Sequence, residues 1–197
     1  MMKIAVLVSG GGTNLQAILD SEARGENPNG KVTLVVASKP DIYALKRAEQ
    51  FHVETAVVRR KDYSDSVSFD EALIAVLKSH EIDLVVLAGF LSVLGPKVIQ
   101  AYPNRILNVH PSLIPSFCGP GYYGLRVHEA ALKRGVKVSG ATVHFVNEEC
   151  DGGPILLQKA VEVHADDTPE TLQKRIMTEA EWVLLPKAIA MVCNGEV

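Results

Sequence analysis

The sequence predicts an α/β fold: a mostly parallel, twisted open sheet with helices on both faces and an antiparallel strand toward its C-terminal end. Three observations carry that expectation. Short β-branched runs alternate with amphipathic stretches of about ten residues or more, the pattern of strands joined by crossover helices. The run Asp83–Ala88, DLVVLA, has no polar face and belongs in a strand covered on both sides. Beyond it, the alternation gives way to a Pro- and Gly-rich stretch and two strand-like runs joined by the turn-rich linker NEECDGG.

Taken in order, Lys3–Val8 reads as the first strand and Thr13–Ser21 as the helix after it. Val32–Ala37 is the second strand, followed by a helix over Asp41–Phe51 and a short strand at Thr55–Val58. Ser66–His80 is helical because Phe69, Leu73, Val76 and Leu77 fall on one face. The central strand Asp83–Ala88 comes next, then a short helix at Lys97–Tyr102 and a strand at Ile106–Asn108. Pro111–Gly124 is loop, and Val127–Arg134 a short helix. Strands follow at Lys137–Val146 and Pro154–Val163, and a closing helix covers Thr168–Cys193, bent or interrupted before Pro186.

Composition narrows the classes. The chain has 197 residues, 47% of them hydrophobic and 22% charged, enough for one domain over 1–197 with a real core and too apolar for disorder. A formal charge of −3 with both signs interspersed argues against a nucleic-acid partner, which would want a basic stripe. The apolar runs are far shorter than the roughly 18 residues of a membrane span, so no membrane association is expected. The opening run Ile4–Val8 is too short for a secretion signal and Ser9-Gly10-Gly11-Gly12 follows at once, which reads as a buried first strand of a cytoplasmic protein. Cys118, Cys150 and Cys193 are scattered, form no CxxC, and point to a reducing compartment without disulfides.

In an open parallel sheet, ligands bind outside the carboxyl ends of the strands, near a switch in strand order. Three unusual segments fall at such ends: Ser9–Asn14, Gly89–Ser92 and Asn108–Ser112. The glycine turn lets backbone approach an anion, and the helix after it offers free N–H groups, with Thr13 and Asn14 adding side-chain donors. No Gly-Lys-Ser/Thr follows, and Leu15 stands where a dinucleotide fingerprint needs its third glycine, so a single phosphate fits better than a pyrophosphate. In extended Asn108-Val109-His110-Pro111, residues i and i+2 share a side. Asn108 and His110 thus offer an amide donor and a titratable imidazole to one space, which suits a tetrahedral oxyanion and a proton transfer. Asp151, in the turn Asp151-Gly152-Gly153-Pro154, would orient that imidazole and raise its pKa if brought beside it.

Other candidates weigh less. His144 reads as a satisfied strand histidine, His128 as structural or at a substrate edge, and His52, His80 and His164 as surface residues. Cys150 lacks a histidine nearby in sequence to make it a nucleophile, and no HxxxH or CxxC spacing suggests a metal.

Taken together, these segments resemble the folate-dependent glycinamide ribonucleotide formyltransferases of purine synthesis. The likeness runs through KIAVLVSGGGTNLQAIL, VVLAGFLSVL, ILNVHPSLIPSF, GATVHFVNEECDGGPILLQ and the closing helix. The N-H-P-S-L-x-P motif with a D-x-G-P turn about 40 residues on is the specific part. The resemblance implies a Rossmann-like formyltransferase fold and direct transfer of a formyl group from 10-formyltetrahydrofolate to the amine of the ribonucleotide, without a metal. It implies that Gly11, Gly12, Thr13 and Asn14 hold the ribonucleotide phosphate and that Glu181 contacts its glycinamide end. Leu91, Ser92, Val93 and Leu94 would line the pterin pocket, with Ser66 near the folate tail. Asn108 and His110 would stabilise the oxyanion, with His110 as proton donor and Asp151 acting on it and on water. It also implies a cis Ile114–Pro115 bond, small-molecule substrates as the only partners, and a monomer or homodimer.

The chain departs from the family pattern at Ser66 and Ser92, where basic residues are common, and in the longer loop Cys118–Gly124. Two rival enzymes share the motif. A methionyl-tRNA formyltransferase would need a C-terminal RNA-binding domain and a basic surface, for which 197 residues and a charge of −3 leave no room. A formyltetrahydrofolate hydrolase would carry an N-terminal regulatory domain, whereas the first strand is expected from residue 3. From a different class, a nucleotide-sensing module on the same sheet is the non-catalytic alternative.

Overall fold

The computed structural model describes every residue, Met1–Val197. The strands are β1 (Met2–Val8), β2 (Gly30–Ala37), β3 (Glu54–Val57), β4 (Leu84–Leu87), β5 (Ile106–His110), β6 (Val138–Phe145) and β7 (Ile155–Glu162). They form one sheet in the order β3-β2-β1-β4-β5-β6-β7. Pairings from β3 through β5 are parallel, and β6 runs antiparallel to both neighbours. The sheet is thus the mostly parallel one the sequence predicts, and DLVVLA is central: β4 is wholly buried between β1 and β5. No helix is long and apolar enough to cross a membrane.

Alternation along β1 sends its side chains into two cores. Ile4, Val6 and Val8 join a cluster of 27 buried residues with α1 (Thr13–Ala23), α2 (Tyr43–Gln50), α5 (Leu125–Arg134), α6 (Pro169–Ile176) and α7 (Trp182–Cys193). Ala5 and Leu7 join one of 15 on the other face, with α3 (Ser66–Ser79) and α4 (Pro96–Ala101). Phe69, Leu73 and Leu77 are the buried stripe of α3, as their spacing requires, whereas Val76 is only partly covered.

Local chemistry sets the boundaries. Asp65 caps α3 by accepting the Ser68 N–H, and Thr168 with Thr171 forms a reciprocal cap at α6, where Pro169 opens the helix. Gly135, at φ 77°, ends α5. α2 starts two residues later than expected because Asp41, at φ 59°, turns the chain first. The closing helix is interrupted before Pro186, but not at it: a π turn spans Met177–Glu181 and α7 runs through the proline. The extra residue of a π turn shifts helical phase, a device frequent at functional sites. Ile114–Pro115 is cis, as the resemblance implies.

Both ends of the chain meet at the amino edge of the sheet. Met2 N–H donates to Asn29 O (2.7 Å), and Asn29 Nδ2 donates to Asn194 Oδ1 (2.8 Å) just past α7. The carboxyl ends of β1, β4 and β5 emerge on the opposite side, where strand order reverses between β1 and β4.

Gly12 makes the turn at that side possible. It precedes α1 at φ 72°, and a Cβ there would stand 2.7 Å from Ala44 Cβ. Gly11→Ala meets open space by contrast. Gly12→Ala is expected to lower unfolding free energy by roughly 2–4 kcal/mol, left-handed strain plus overpacking. Gly11→Ala should stay within about 0.5 kcal/mol of the parent in urea titrations.

Candidate functional site

One carboxylate gathers the side chains at the end of β5. Asp151 Oδ2 accepts the Gly119 N–H at 2.8 Å and lies 3.6 Å from His110 Nδ1. Its Oδ1 lies 3.6 Å from His144 Nε2 and 3.5 Å from Asn108 Nδ2. The spacing Asn108, His110 does send both side chains to one side, toward Asp151. The two histidine distances are ion-pair approaches, too long for hydrogen bonds. Both imidazoles are almost fully buried.

Backbone geometry explains how Asp151 gets there. It sits at φ 55°, a left-handed conformation that Asp tolerates better than most residues. Space demands the second glycine that follows: a Cβ on Gly153 would run into Phe145 O, whereas one on Gly152 would meet only the exposed Glu149 side chain. The loop Pro111–Gly124 is pinned opposite. Thr142 Oγ1 donates to Ser112 O (2.7 Å) and accepts the Ile114 N–H (3.1 Å), and Gln158 Nε2 donates to Ile114 O (3.0 Å).

The partners fix the tautomers. Phe117 O can only accept, so the 2.8 Å contact puts a proton on His110 Nε2 and leaves Nδ1, facing Asp151, as the atom that gains or loses one. His144 Nδ1 donates to Phe145 O at 2.8 Å, and its Nε2 is 3.1 Å from Asn108 Nδ2, which donates to it in the neutral ring. That commits one N–H of the Asn108 amide and leaves the other directed at Asp151 Oδ1, at 3.5 Å the long limit of a hydrogen bond. Burial would raise the Asp151 carboxyl. The interaction with His144, the charge of His110 and the Gly119 N–H together hold it below its ordinary 3.8.

His144 is the satisfied strand histidine that the sequence suggests, with both ring nitrogens partnered, but its partner Asn108 was not legible. In the antiparallel ladder it stands directly opposite Asn108, and opposed residues share a face. The pairing of β5 with β6 was the signal needed. His128 is the reverse case: it is fully buried in α5, with no protein partner at either ring nitrogen. Burial, then the charge of His110, pushes its pKa down to about 4. It is therefore a neutral interior group, and a substrate-edge role does not fit. For Cys150, partial desolvation and the adjacent Asp151 carboxylate push the thiol up, away from a nucleophilic thiolate.

A second cluster lies at the start of α1. No side chain caps that helix, so its first N–H groups remain free. Arg47 braces the turn, its Nε donating to Gly11 O at 2.8 Å. The Asn14 side chain does not face the turn as expected. Its Nδ2 donates to Glu181 Oε2 at 2.7 Å in a buried pair, because a buried carboxylate needs a donor. Asn14 Oδ1 and Trp182 Nε1 are buried without protein partners. A cleft of about 270 Å³, lined by Thr13, Gln16, Asp20, Arg24, Arg47 and Trp182, opens beside this cluster and is not lined by Asp151 or its neighbours.

After β4, Leu91 and Val93 are exposed while Leu94 turns into the core. Leu91 is held by its N–H, which donates to Ser9 Oγ at 2.9 Å, and Ser92 is part-buried beside it. Ser66 opens α3, exposed, one turn before Asp70, and no hydrogen bond ties it to residues 91–94. No group of three or more His, Cys, Asp or Glu side chains is arranged to hold a metal ion.

Burial raises the Glu181 carboxyl above its ordinary 4.5, with Asn14 offsetting part of the effect. The native state then holds a proton the unfolded state releases, so this group lowers stability as pH rises above 4.5. Glu181→Gln is expected to raise the urea midpoint near pH 8 and to leave it unchanged near pH 4. An equal shift at both values would contradict the burial argument.

Comparison with known proteins gives the chain a family. The formyl transferase family matches residues 2–189. A phosphoribosylglycinamide formyltransferase of Haemophilus influenzae is 42% identical over 195 residues, covering 99% of this chain and 89% of that protein. The trifunctional purine biosynthetic protein adenosine-3 of Homo sapiens is also 42% identical over 195 residues, though the chain spans only 19% of it. The crystal structure of glycinamide ribonucleotide transformylase 1 from Symbiobacterium toebii superposes with a TM-score of 0.93 at 44% identity, covering 99% of this chain and 89% of that one. The sheet order, the Asn108-Val109-His110-Pro111 strand end and these matches lead to one conclusion: the chain belongs to the formyl transferase family and is a formyltransferase.

Proposed function

We propose that the protein transfers the formyl group of 10-formyltetrahydrofolate to the amine of 5-phosphoribosylglycinamide, in purine biosynthesis. The observation that carries this reading is the convergence of Asn108, His110 and Asp151 at the end of β5, on the same side of the sheet as an uncapped glycine turn at the end of β1, with β4 between. Gly11, Gly12 and the N–H groups of Thr13 and Asn14 take the phosphate, at the positive end of α1. Glu181 and the unpartnered Asn14 Oδ1 take polar groups of the same substrate, which relieves a buried acceptor that costs about 1–3 kcal/mol when unmatched. The donor lies along Leu91–Leu94, where the side chains at 91 and 93 are open and backbone groups read the ring.

The chemistry follows from the proton positions. The amine nitrogen bonds to the formyl carbon and negative charge grows on its oxygen. The Asn108 N–H that makes only a long contact with Asp151, turned to the substrate, and the Nδ1–H of protonated His110 stabilise that oxygen. Collapse breaks the bond from carbon to N10 of the folate, which takes a proton from His110, while the attacking amine loses one to water held by Asp151. Proton gain and loss balance. Because Asp151 stays ionised below the ordinary range, it keeps its charge through the cycle.

Purified protein mixed with both substrates should give formylated ribonucleotide and tetrahydrofolate. No product from that mixture would overturn the reading in favour of a binding module. Asn108→Ala, which removes one donor, should cost roughly 10²–10³ in kcat. Asp151→Asn should lower kcat sharply with little change in ribonucleotide KM. Adding His110→Ala to it should cost far less than the product of the single losses, since the two act as a unit. Cys150→Ala should keep most activity, and Ser92→Ala should stay within a few-fold of the parent in donor affinity.

A further inference from the structure

The loop after β4 hangs from two buried side chains. The Gly95 N–H donates to Asp70 Oδ1 (2.9 Å) at one end, and the Leu91 N–H donates to Ser9 Oγ (2.9 Å) at the other. Asp70 is 1% exposed and Ser9 6%. Ser9 Oγ also lies 2.7 Å from Ser38 Oγ, just past the end of β2. One hydroxyl oxygen therefore ties together the ends of β2, β1 and β4, across the point where strand order reverses. Ser9 is also the residue from which the glycine turn springs.

Counting protons sharpens its part. Leu91 N–H can only donate, so Ser9 Oγ accepts it. The two serine hydroxyls hold two protons, and the bond between them uses one. Ser9 thus has a fixed bond to the donor loop and sits covalently at the start of the phosphate turn. Neither loop can shift without moving the other's anchor. Ordering of the turn by a phosphate lowers the cost of ordering residues 91–94, which is positive coupling between sites.

We propose that Ser9 is a positioning residue that couples ribonucleotide binding to donor binding; the proposal rests on the formyl-transfer reading above. It needs no contact between Ser9 and either substrate.

The test is calorimetric titration of the full chain with tetrahydrofolate, with and without saturating 5-phosphoribosylglycinamide, a pair that cannot react. In the parent protein the ribonucleotide is expected to tighten tetrahydrofolate at least about fivefold. Ser9→Ala should bring that factor close to one, and should weaken each ligand by about the lost factor when it is titrated with its partner saturating, while ribonucleotide binding without tetrahydrofolate changes far less. Ser9→Thr, which keeps the hydroxyl, should restore the factor. Where Ser9→Ala does not melt cooperatively, Ser9→Cys replaces it, since sulfur fills the space but accepts the Leu91 N–H poorly. A parent factor of one, or an unchanged factor in Ser9→Ala or Ser9→Cys, overturns the proposal. Formyl transfer by the parent is assayed separately: its absence defeats the functional reading, whereas transfer without coupling defeats only this inference.

Discussion

The Asp151 carboxylate is the contact on which the site depends. It is reached by β5 through Asn108 and His110, by β6 through His144, and by the 111–124 loop through Gly119. Burial alone would raise its pKa, and the interaction with His144, the charge of His110 and the Gly119 N–H together hold it below the ordinary value. The dependence runs both ways. Without a charged Asp151, two buried imidazoles and the Gly119 N–H lose their partner, and the loop loses a tie to the sheet. A left-handed aspartate is costly backbone, and here it carries the carboxylate into the gap between β5, β6 and the loop.

The sheet supplies what this arrangement needs by placing rigid strand ends beside one another. Much of that was legible in the sequence. Apolar runs mark the strands, so the segments just past them mark the ligand side, and the two-residue period of β5 places Asn108 with His110. What stayed hidden was anything that depends on pairing between distant segments. His144 looks like any strand histidine until the antiparallel register sets it opposite Asn108. The side chain of Asn14 follows Glu181, which the π turn brings under α1 from far along the chain. His128 has no sequence mark separating a buried ring from an exposed one.

The second cluster shows a different compromise. Glu181 is buried with a single donor from Asn14, and its neighbour Trp182 keeps an indole N–H without a protein partner. An arrangement chosen for stability alone would fill that space with apolar side chains. Polar groups left short of partners are suited to a ligand that brings its own, and stability is the quantity traded away.

The meeting of the chain ends on the far side of the sheet bears on architecture beyond this domain. Met2 and Asn194 are linked through Asn29, at the opposite end of the strands from Asn108, His110 and Asp151. A further polypeptide attached at either end would emerge from the floor of the molecule and leave the mouth of the site clear. The same closeness makes circular permutation accessible, because a short splice could join the two ends while new ones are opened in an exposed loop.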